Sequence, residues 1–366
     1  MRIELPISKS IANRLLILQA IHGDGLMTVS CDMPDDVQIL HNALTTLRTF
    51  KTSKTLSTPH IDVGNCGTAM RFLTAYCAQL EGQTTILDGV ERMHHRPIGQ
   101  LVDALREIGA DIEYLGEEGF PPLRIKGCIL DKRRIVTINN PQSTQFVSAL
   151  LLIGANVQTN STSPYITLTR TLIEQYALTS SPYRLSPIAL ERDWSSAAFW
   201  YEYVALYGGE ITLLGLSRDS LQGDKIVADI FAHLGIHTTY TAEGITLSPI
   251  AYSEASYSPL SGRPIAEQAA SRSKILVQDF GNCPDLYPAV ALTCERFGVE
   301  LHATGVESLP LKESDRLRAV REHRTDADHR MAMALLIAGY EVDDTACISK
   351  SYPNFIEHFR HINSLK

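Results

Sequence analysis

The sequence predicts an α/β protein built from two similar halves of three repeated units each, with buried helices inside and sheets outside. Three observations carry that expectation. The chain has 366 residues, which at roughly 150 per domain gives two or three domains, each long enough to bury its own core. A helix that ends in glycine and runs into a short hairpin recurs along the chain, and so does a polar turn that opens an apolar helix. Six units of about 60 residues would account for nearly the whole length. Periodicity alone leaves an unrelated pair of α/β domains equally open.

The elements follow in chain order. LPISKSIANR places Lys9 and Ser10 at the opening of an apolar helix, and a weaker helix copy begins near Ile39. GNCGTAMRFLTAYCA, from Gly64, is the first polar turn before an Ala- and Leu-rich helix, and Thr84 to Leu87 reads as a strand. Leu101 to Gly109 has apolar residues at helical spacing that stop at a glycine suited to a left-handed cap, with alternating residues and a turn after it. The turn-and-helix pattern returns at Asn140 (NPQSTQF), a weak helix copy at Thr171, and another polar turn at Glu191 (ERDWSSAAFW). Glu210 to Leu214 is strand-like, and Ala228 to Gly235 repeats the glycine-ended helix and hairpin. Phe280 (FGNCPDLYP), the strand Val299 to His302 and Asp326 (DADHRMAMALL) complete the series. In each polar turn a Ser, Thr, Asp or Asn stands where an N-cap belongs, and the helix that follows is apolar around most of its circumference, hence buried.

Composition removes several classes. With 44% hydrophobic and 20% charged residues the chain is neither collagen-like, coiled-coil nor disordered. Its net charge of −8 argues against a broad basic face for nucleic acid or anionic lipid, so an anionic ligand must be held by a local cluster. The seven cysteines, Cys31, Cys66, Cys77, Cys128, Cys283, Cys294 and Cys347, are odd in number and never in a CxxC pair. They are expected as small buried or half-buried residues in a reducing compartment. Apolar runs fall short of the ~18 residues that span a bilayer, and Pro6, Lys9, Arg14 and Gln19 interrupt the N-terminal stretch, so the expected location is the cytoplasm.

Several motifs carry chemistry. Lys9, Ser10 and Arg14, one turn on, add three donors to a helix start with free N–H groups; a plain capped surface helix is the alternative. Gly64 and Gly67 permit close backbone approach before a helix that holds Arg71, but the loop lacks the Walker lysine and the dinucleotide glycines. In ERMHHRP, Arg92 and Arg96 flank His94 and His95, neighbours that point apart and do not suggest a metal site. His233 and His237 are separated by a helix-ending Gly235. In LPLKESDRLRAV, Lys312 and Arg316 are one helical turn apart with Glu313 between them; Asp285 follows Pro284 at another helix start, and Asp328, His329 and Arg330 cap the last buried helix.

LPISKSIANR, GNCGTAMR, RMHHRPIG, QSTQF, the GDK after Gln222, CPD, LKESDRL and DHRMAM stand in one order over nearly the whole chain. Together they resemble the 5-enolpyruvylshikimate-3-phosphate synthase family. The sibling UDP-N-acetylglucosamine enolpyruvyl transferases carry a cysteine in the loop that here reads ERMHHRP, where none lies. An inactive phosphometabolite-binding relative is the reading from another class. The resemblance implies a two-domain inside-out α/β barrel, each half three βαβαββ units around buried helices, with the halves at 9–191 and at 1–8 plus 192–366. It implies transfer of the enolpyruvyl group of phosphoenolpyruvate to the 5-hydroxyl of shikimate 3-phosphate, with phosphate released, no metal, no organic cofactor, no nucleic-acid or membrane partner, and a monomer.

By the same resemblance Asp285 is the proton acceptor, Glu313 the acid toward the methylene carbon, and Lys9 shares the proton transfers. Shikimate 3-phosphate falls to Lys9, Ser10, Arg14, Ser143, Thr144, Gln145, Asp285 and Lys312, mostly in the first half. Phosphoenolpyruvate falls to Lys9, Gly67, Arg96, Gln145, Arg316, Arg330 and Lys350, whose planar guanidinium forks suit a phosphate and a carboxylate. The sequence departs from the family in five places. Thr144 replaces the second of two serines, Thr162 stands for a serine and Ser308 for an asparagine. The remainder of a helix and a hairpin expected between Arg324 and Thr325 is missing, and no strand is expected before the SKS motif.

Overall fold

The computed structural model describes residues 1–53, 58–179, 190–250 and 275–364. Two compact units share the chain: Met1–Ser8 with Glu191–Lys366, and Lys9–Leu190. The first strand, β1 (Arg2–Glu4), precedes the SKS motif, contrary to the expectation of no strand there, and belongs with the second half of the chain. Its three residues RIE are too few to register as a pattern.

The unit of Lys9–Leu190 holds α1 (Lys9–His22), α2 (Asp35–Ser53), β2 (His60–Asp62), α3 (Gly67–Ala78), β3 (Thr84–Asp88), α4 (Glu91–His94), α5 (Gly99–Glu107), β4 (Asp111–Tyr114), β5 (Leu123–Lys126), β6 (Ile135–Thr137), α6 (Thr144–Leu152), β7 (Asn156–Gln158) and α7 (Pro164–Thr179). Strands order as β2-β3-β5-β4, with β2 parallel to β3 and an antiparallel β4–β5 hairpin running from Asp111 opposite Lys126 to Tyr114 opposite Leu123. That hairpin follows Gly109, whose φ of 99° supplies the left-handed turn after α5. A second sheet pairs β6 and β7 in parallel. At the centre α1, α3 and α6 pack together, buried nearly all round, as their apolar sequences require.

The other unit repeats the plan with α8 (Trp194–Tyr207), β8 (Ile211–Leu214), α9 (Val227–His233), β9 (Ile236–Tyr240), β10 (Gly244–Pro249), β11 (Ile275–Asp279), α10 (Tyr287–Phe297), β12 (Glu300–Thr304), α11 (Arg316–Glu322), α12 (His329–Ala338) and α13 (Phe355–Ser364). Its four-stranded sheet orders β1-β8-β10-β9, the same pattern of one parallel and two antiparallel pairs. The N-terminal strand therefore supplies the edge strand of the sheet built from the second half of the sequence. Ser8 N–H donates to Glu191 O at 2.8 Å, Asp193 N–H to Pro6 O at 3.0 Å and Arg192 Nη1 to Leu5 O at 2.8 Å, so both chain crossings are fastened in one place. Parallel β11 and β12 form the second sheet, and α8, α10 and α12 form the buried core.

The expected hairpin between Arg324 and Thr325 is replaced by a direct link. His323, at φ 50°, closes α11 with Arg324 N–H on Ala319 O at 3.0 Å, and Asp326 and Ala327 turn the chain at φ 46° and 56° into α12. Hairpins expected after the weak helix copies at Ile39 and Thr171 fall at least partly outside the described residues. Two of the expected N-caps differ. Cys66, rather than a hydroxyl or amide, caps α3 by accepting Ala69 N–H at 3.4 Å, and α10 opens on Tyr287 and Pro288 without a side-chain cap. Among the cysteines Cys31 is exposed, against expectation, because it lies in the turn before α2. No helix among the described residues is long and apolar enough to cross a membrane.

One core residue breaks the apolar rule. Glu202, on α8, is fully buried and neither carboxylate oxygen has a hydrogen-bond partner among the described residues, so burial pushes its carboxyl well above the usual range. Below that range both folded and unfolded chains hold the proton. As pH rises the unfolded chain releases it first, and stability falls by up to about 1.4 kcal/mol per pH unit until the folded carboxyl also ionises. Glu202→Met is expected to raise the thermal unfolding midpoint, with a gain that grows from pH 5 to pH 8. A gain that is constant with pH would contradict a neutral buried Glu202.

Candidate active site

In the unit of Lys9–Leu190 the predicted residues gather at the N-terminal ends of its core helices. Lys9, the first residue of α1, pairs with Asp36 of α2 at 2.8 Å, and Cys66 Sγ, at the start of α3, donates to Asp36 O at 3.8 Å. Gln145, in the first turn of α6, donates from Nε2 to Thr68 Oγ1 in the first turn of α3 at 2.9 Å. Ser143 caps α6, its hydroxyl accepting Gln145 N–H at 3.3 Å, and Thr144 is the first helical residue. The three starts are thus joined through side chains, and the free N–H groups and positive dipole ends there favour an anion.

Arg96 reaches this place from the loop after α4. Its Nη1 donates to Asn65 O at 3.3 Å and to Asn65 Oδ1 at 3.4 Å. Gly67 is where backbone and guanidinium groups meet: a Cβ there would lie 2.4 Å from Arg71 Nη1 and 2.6 Å from Arg96 Nη2. Only glycine permits that approach. Arg71, whose Nη2 donates to Pro97 O at 3.3 Å, and Asn65 belong to the cluster although neither was among the predicted site residues; both stand in the GNCGTAMR motif that signalled the loop. His94 Nε2 lies 2.8 Å from Asp88 and His95 Nε2 lies 3.2 Å from Glu91, whose carboxylate is also 3.8 Å from His94 Nδ1.

Arg14 is turned inward. Its Nε donates to Thr169 Oγ1 at 2.7 Å, Nη1 to Ser10 O at 2.7 Å and Nη2 to Ser148 Oγ at 3.1 Å, while burial pushes its pKa down to about 10. The geometry assigns it to fixing α1 against α6 and α7 and to holding the Ser10 backbone. Thr162 is exposed, and Ser163 rather than Thr162 turns its hydroxyl to the start of α7, accepting Tyr165 N–H at 3.3 Å.

The second unit collects every predicted residue of its sequence into one ionic network. Arg316 is its hub, 1% exposed, with Nη1 on Asp285 Oδ1 at 2.8 Å, Nη2 on Glu313 Oε2 at 3.1 Å and Nε on Asp328 Oδ2 at 2.8 Å. Arg330 meets Asp285 Oδ2 at 2.8 Å, Lys312 lies 3.7 Å from Asp285 and Lys350 lies 3.9 Å from Glu313. Burial opposes the Arg316 charge, but Asp328, Asp285 and Glu313 together hold it above the usual guanidinium range. Arg330 is likewise buried, and its Nε and Nη1 have no hydrogen-bond acceptor among the described residues.

The KESDR stretch is not the helical turn that its spacing suggested. Lys312 to Ser314 are non-helical, Asp315 caps α11 by accepting Arg318 N–H at 3.2 Å, and Arg316 is the first helical residue. A wrapped segment, rather than one helix face, is what lets Lys312, Glu313 and Arg316 converge. Asp328 does more than cap α12 through Arg330 N–H at 2.9 Å, since it also anchors Arg316 and Ser314. Among the described residues no group of three or more His, Cys, Asp or Glu has metal-binding geometry.

The arrangement joins three carboxylates to several cations, which suits proton transfer on an anionic substrate. Comparison with known proteins agrees on a family. A family model described as EPSP synthase (3-phosphoshikimate 1-carboxyvinyltransferase) matches residues 1–323 and 321–359. The chain is 36% identical over 417 residues to the 3-phosphoshikimate 1-carboxyvinyltransferase of Bacteroides fragilis, covering 98% of this chain and 94% of that protein. It is 31% identical over 434 residues to the protein of the same name from Cellvibrio japonicus, covering 99% and 96%. An EPSP synthase structure from Acinetobacter baumannii shares the fold at a TM-score of 0.61 and 18% identity, covering 99% and 95%.

The hub makes a direct prediction. Arg316→Met would leave Asp285, Glu313 and Asp328 facing one another around an uncharged side chain, and should cost about 3–5 kcal/mol of stability in denaturant unfolding. A loss below about 1 kcal/mol would mean that the network is not held by this guanidinium.

Proposed function

The chain belongs to the EPSP synthase family, and from that premise we infer that Asp285, Glu313 and Lys9 carry the proton transfers of its reaction. It acts as a 3-phosphoshikimate 1-carboxyvinyltransferase of aromatic amino acid biosynthesis, using phosphoenolpyruvate and shikimate 3-phosphate. The observation that supports the assignment is the shared hub: Asp285 and Glu313 stand 2.8 and 3.1 Å from the two Nη atoms of Arg316, beside Arg330 and Lys350. Two carboxylates are thereby fixed next to the donors that an anionic enol phosphate needs.

The reaction proceeds by addition and elimination. The 5-hydroxyl oxygen of shikimate 3-phosphate bonds to C2 of phosphoenolpyruvate while its proton passes to Asp285, and the methylene carbon C3 takes a proton from Glu313. The resulting tetrahedral centre carries phosphate, carboxylate, methyl and the new ether oxygen. Phosphate then leaves C2 with its bonding pair, and C3 returns a proton to Glu313, which restores the double bond. Lys9, at the start of α1, neutralises negative charge near the hydroxyl and shares these transfers.

Ser10, Ser143, Thr144, Gln145 and Lys312, with Asp285 and Lys9, take shikimate 3-phosphate, and Arg14 supports Ser10 from beneath. Phosphoenolpyruvate falls to the Gly67 backbone, Arg96, Arg316, Arg330, Lys350, Gln145 and Lys9. The same reading makes each half an inside-out α/β barrel of three βαβαββ units, with α1, α3 and α6 in one and α8, α10 and α12 in the other as the inner helices; the last unit has lost its final hairpin.

A coupled phosphate-release assay tests the function. Release should require both substrates and stop when either is omitted. Asp285→Ala should abolish turnover, by about 10²-fold or more if it is the proton acceptor, while shikimate 3-phosphate still binds, more weakly. Undiminished release from that variant would remove Asp285 from the mechanism, and release from phosphoenolpyruvate alone would remove the transfer reaction itself.

A further inference from the structure

The ERMHHRP stretch supplies Arg96, yet its two histidines have no part in the mechanism above. Arg96 is buried and follows α4, a helix of only four residues. One turn closes too few backbone hydrogen bonds to offset the ordering of its residues, so α4 cannot hold its own orientation. What fixes it must come from outside the helix. Met93 is buried, and its backbone O accepts Arg96 N–H at 3.0 Å, which ties the arginine backbone to the helix. Before the helix, Val90 N–H donates to Gly64 O at 3.2 Å, and a Cβ on Gly89 would lie 2.5 Å from that same oxygen.

The far end of α4 is held by a side chain. His94, its last residue, brings Nε2 to 2.8 Å from Oδ1 of Asp88, the last residue of β3. Asp88 Oδ1 also accepts Gly89 N–H at 2.7 Å, and Nε2 of His60, on β2, lies 3.4 Å from Oδ2. Burial alone would raise the Asp88 carboxyl, but His94, the Gly89 N–H and His60 outweigh it and hold the group below the usual carboxylate range. An ionised carboxylate only accepts, so His94 donates from Nε2, and the bond is charge-assisted. His95 reaches only Glu91, with side chains 60% and 83% exposed, where a pair contributes little.

We propose that His94 is a positioning residue for phosphoenolpyruvate: by donating to Asp88 it pins the end of α4 to the sheet and so sets where the Arg96 guanidinium stands beside the Gly67 backbone. The inference rests on the assignment of Arg96 to that substrate. The physical reason is the narrow tolerance of the loop that Arg96 meets. Its Nη1 donates to Asn65 O at 3.3 Å, while a Cβ on Gly67 would lie only 2.6 Å from its Nη2. A shift of α4 by about 1 Å away from the loop would break the first contact, and the same shift toward it would close the space at Gly67. The latch lies wholly within the unit of Lys9–Leu190, and it acts on the arginine through two residues of backbone rather than on the substrate.

The test is steady-state phosphate release by wild type, His94→Ala, His94→Gln and His95→Ala, with each substrate varied in turn. His94→Ala should raise the KM for phosphoenolpyruvate about tenfold, the size of one charge-assisted hydrogen bond, while kcat and the KM for shikimate 3-phosphate stay within about twofold of wild type. His94→Gln, whose amide N–H can reach the same carboxylate, should restore most of the loss. His95→Ala, one residue nearer to Arg96, should change neither KM. An equal rise in both KM values, a loss confined to kcat, the same rise in His95→Ala, or His94→Gln behaving as His94→Ala would overturn the role of His94. If His94→Ala does not fold, Asp88→Asn decides: it keeps an acceptor for Gly89 N–H but removes the charge, and should raise the KM for phosphoenolpyruvate alone, by about threefold. An unchanged KM in that variant overturns the proposal. No phosphate release from the wild type would instead overturn the proposed function.

Discussion

A helix buried on most sides concentrates its polar groups at its ends, where the backbone itself needs partners, and that constraint organises both units. The core helices α1, α3 and α6 in one, and α8, α10 and α12 in the other, are largely apolar because little of their surface meets water. Their first N–H groups lack intrahelical acceptors. Side chains or ligands must satisfy them, so the starts of these helices are where hydroxyls, carboxylates and arginines accumulate. Chemistry concentrates there as a consequence of burial.

The two units answer the constraint differently. In the second unit the chain supplies its own anions at helix starts: Asp193 caps α8, Asp285 precedes α10 and Asp328 caps α12, each favoured by the positive dipole end. Arg316 and Arg330 pair with Asp285 and Asp328 there, because carboxylates so shielded from water could not stand unpaired. In the other unit the starts of α3 and α6 carry Thr68, Ser143, Thr144 and Gln145, donors without a carboxylate among them, while Lys9 opens α1. One surface is internally neutralised and suited to proton transfer; the other presents donors suited to a phosphate.

Much of this was legible in the sequence, because the signals were local. Gly109 and Gly235 marked helix ends and the hairpins after them, and the polar turns at Gly64, Asn140, Glu191 and Asp326 marked the buried helices. What escaped depended on distant partners. β1 is three residues whose only signal is its pairing with β8, more than 200 positions away. Arg14 looked like a ligand from its helix face, but Thr169 and Ser148 draw it inward. The KESDR spacing matched a helical turn, yet Asp315 starts the helix after Lys312 and Glu313 have passed. The weight of Asp328 and Glu202 lies in burial, which composition and spacing do not report.

The central claim is that substrates are held at the starts of the buried helices. Hydrogen–deuterium exchange measured by mass spectrometry, with and without phosphoenolpyruvate and shikimate 3-phosphate together, addresses it directly, since those amides have no intrahelical acceptor to slow them. The account predicts that the substrates slow exchange at the first turns of α1, α3, α6 and α12 and in the segments carrying Asp285 and Lys312 to Arg316, with the sheet edges unchanged. Slowed exchange confined to the strands or to the outer helices α2, α5 and α9, with those first turns unaffected, would contradict it.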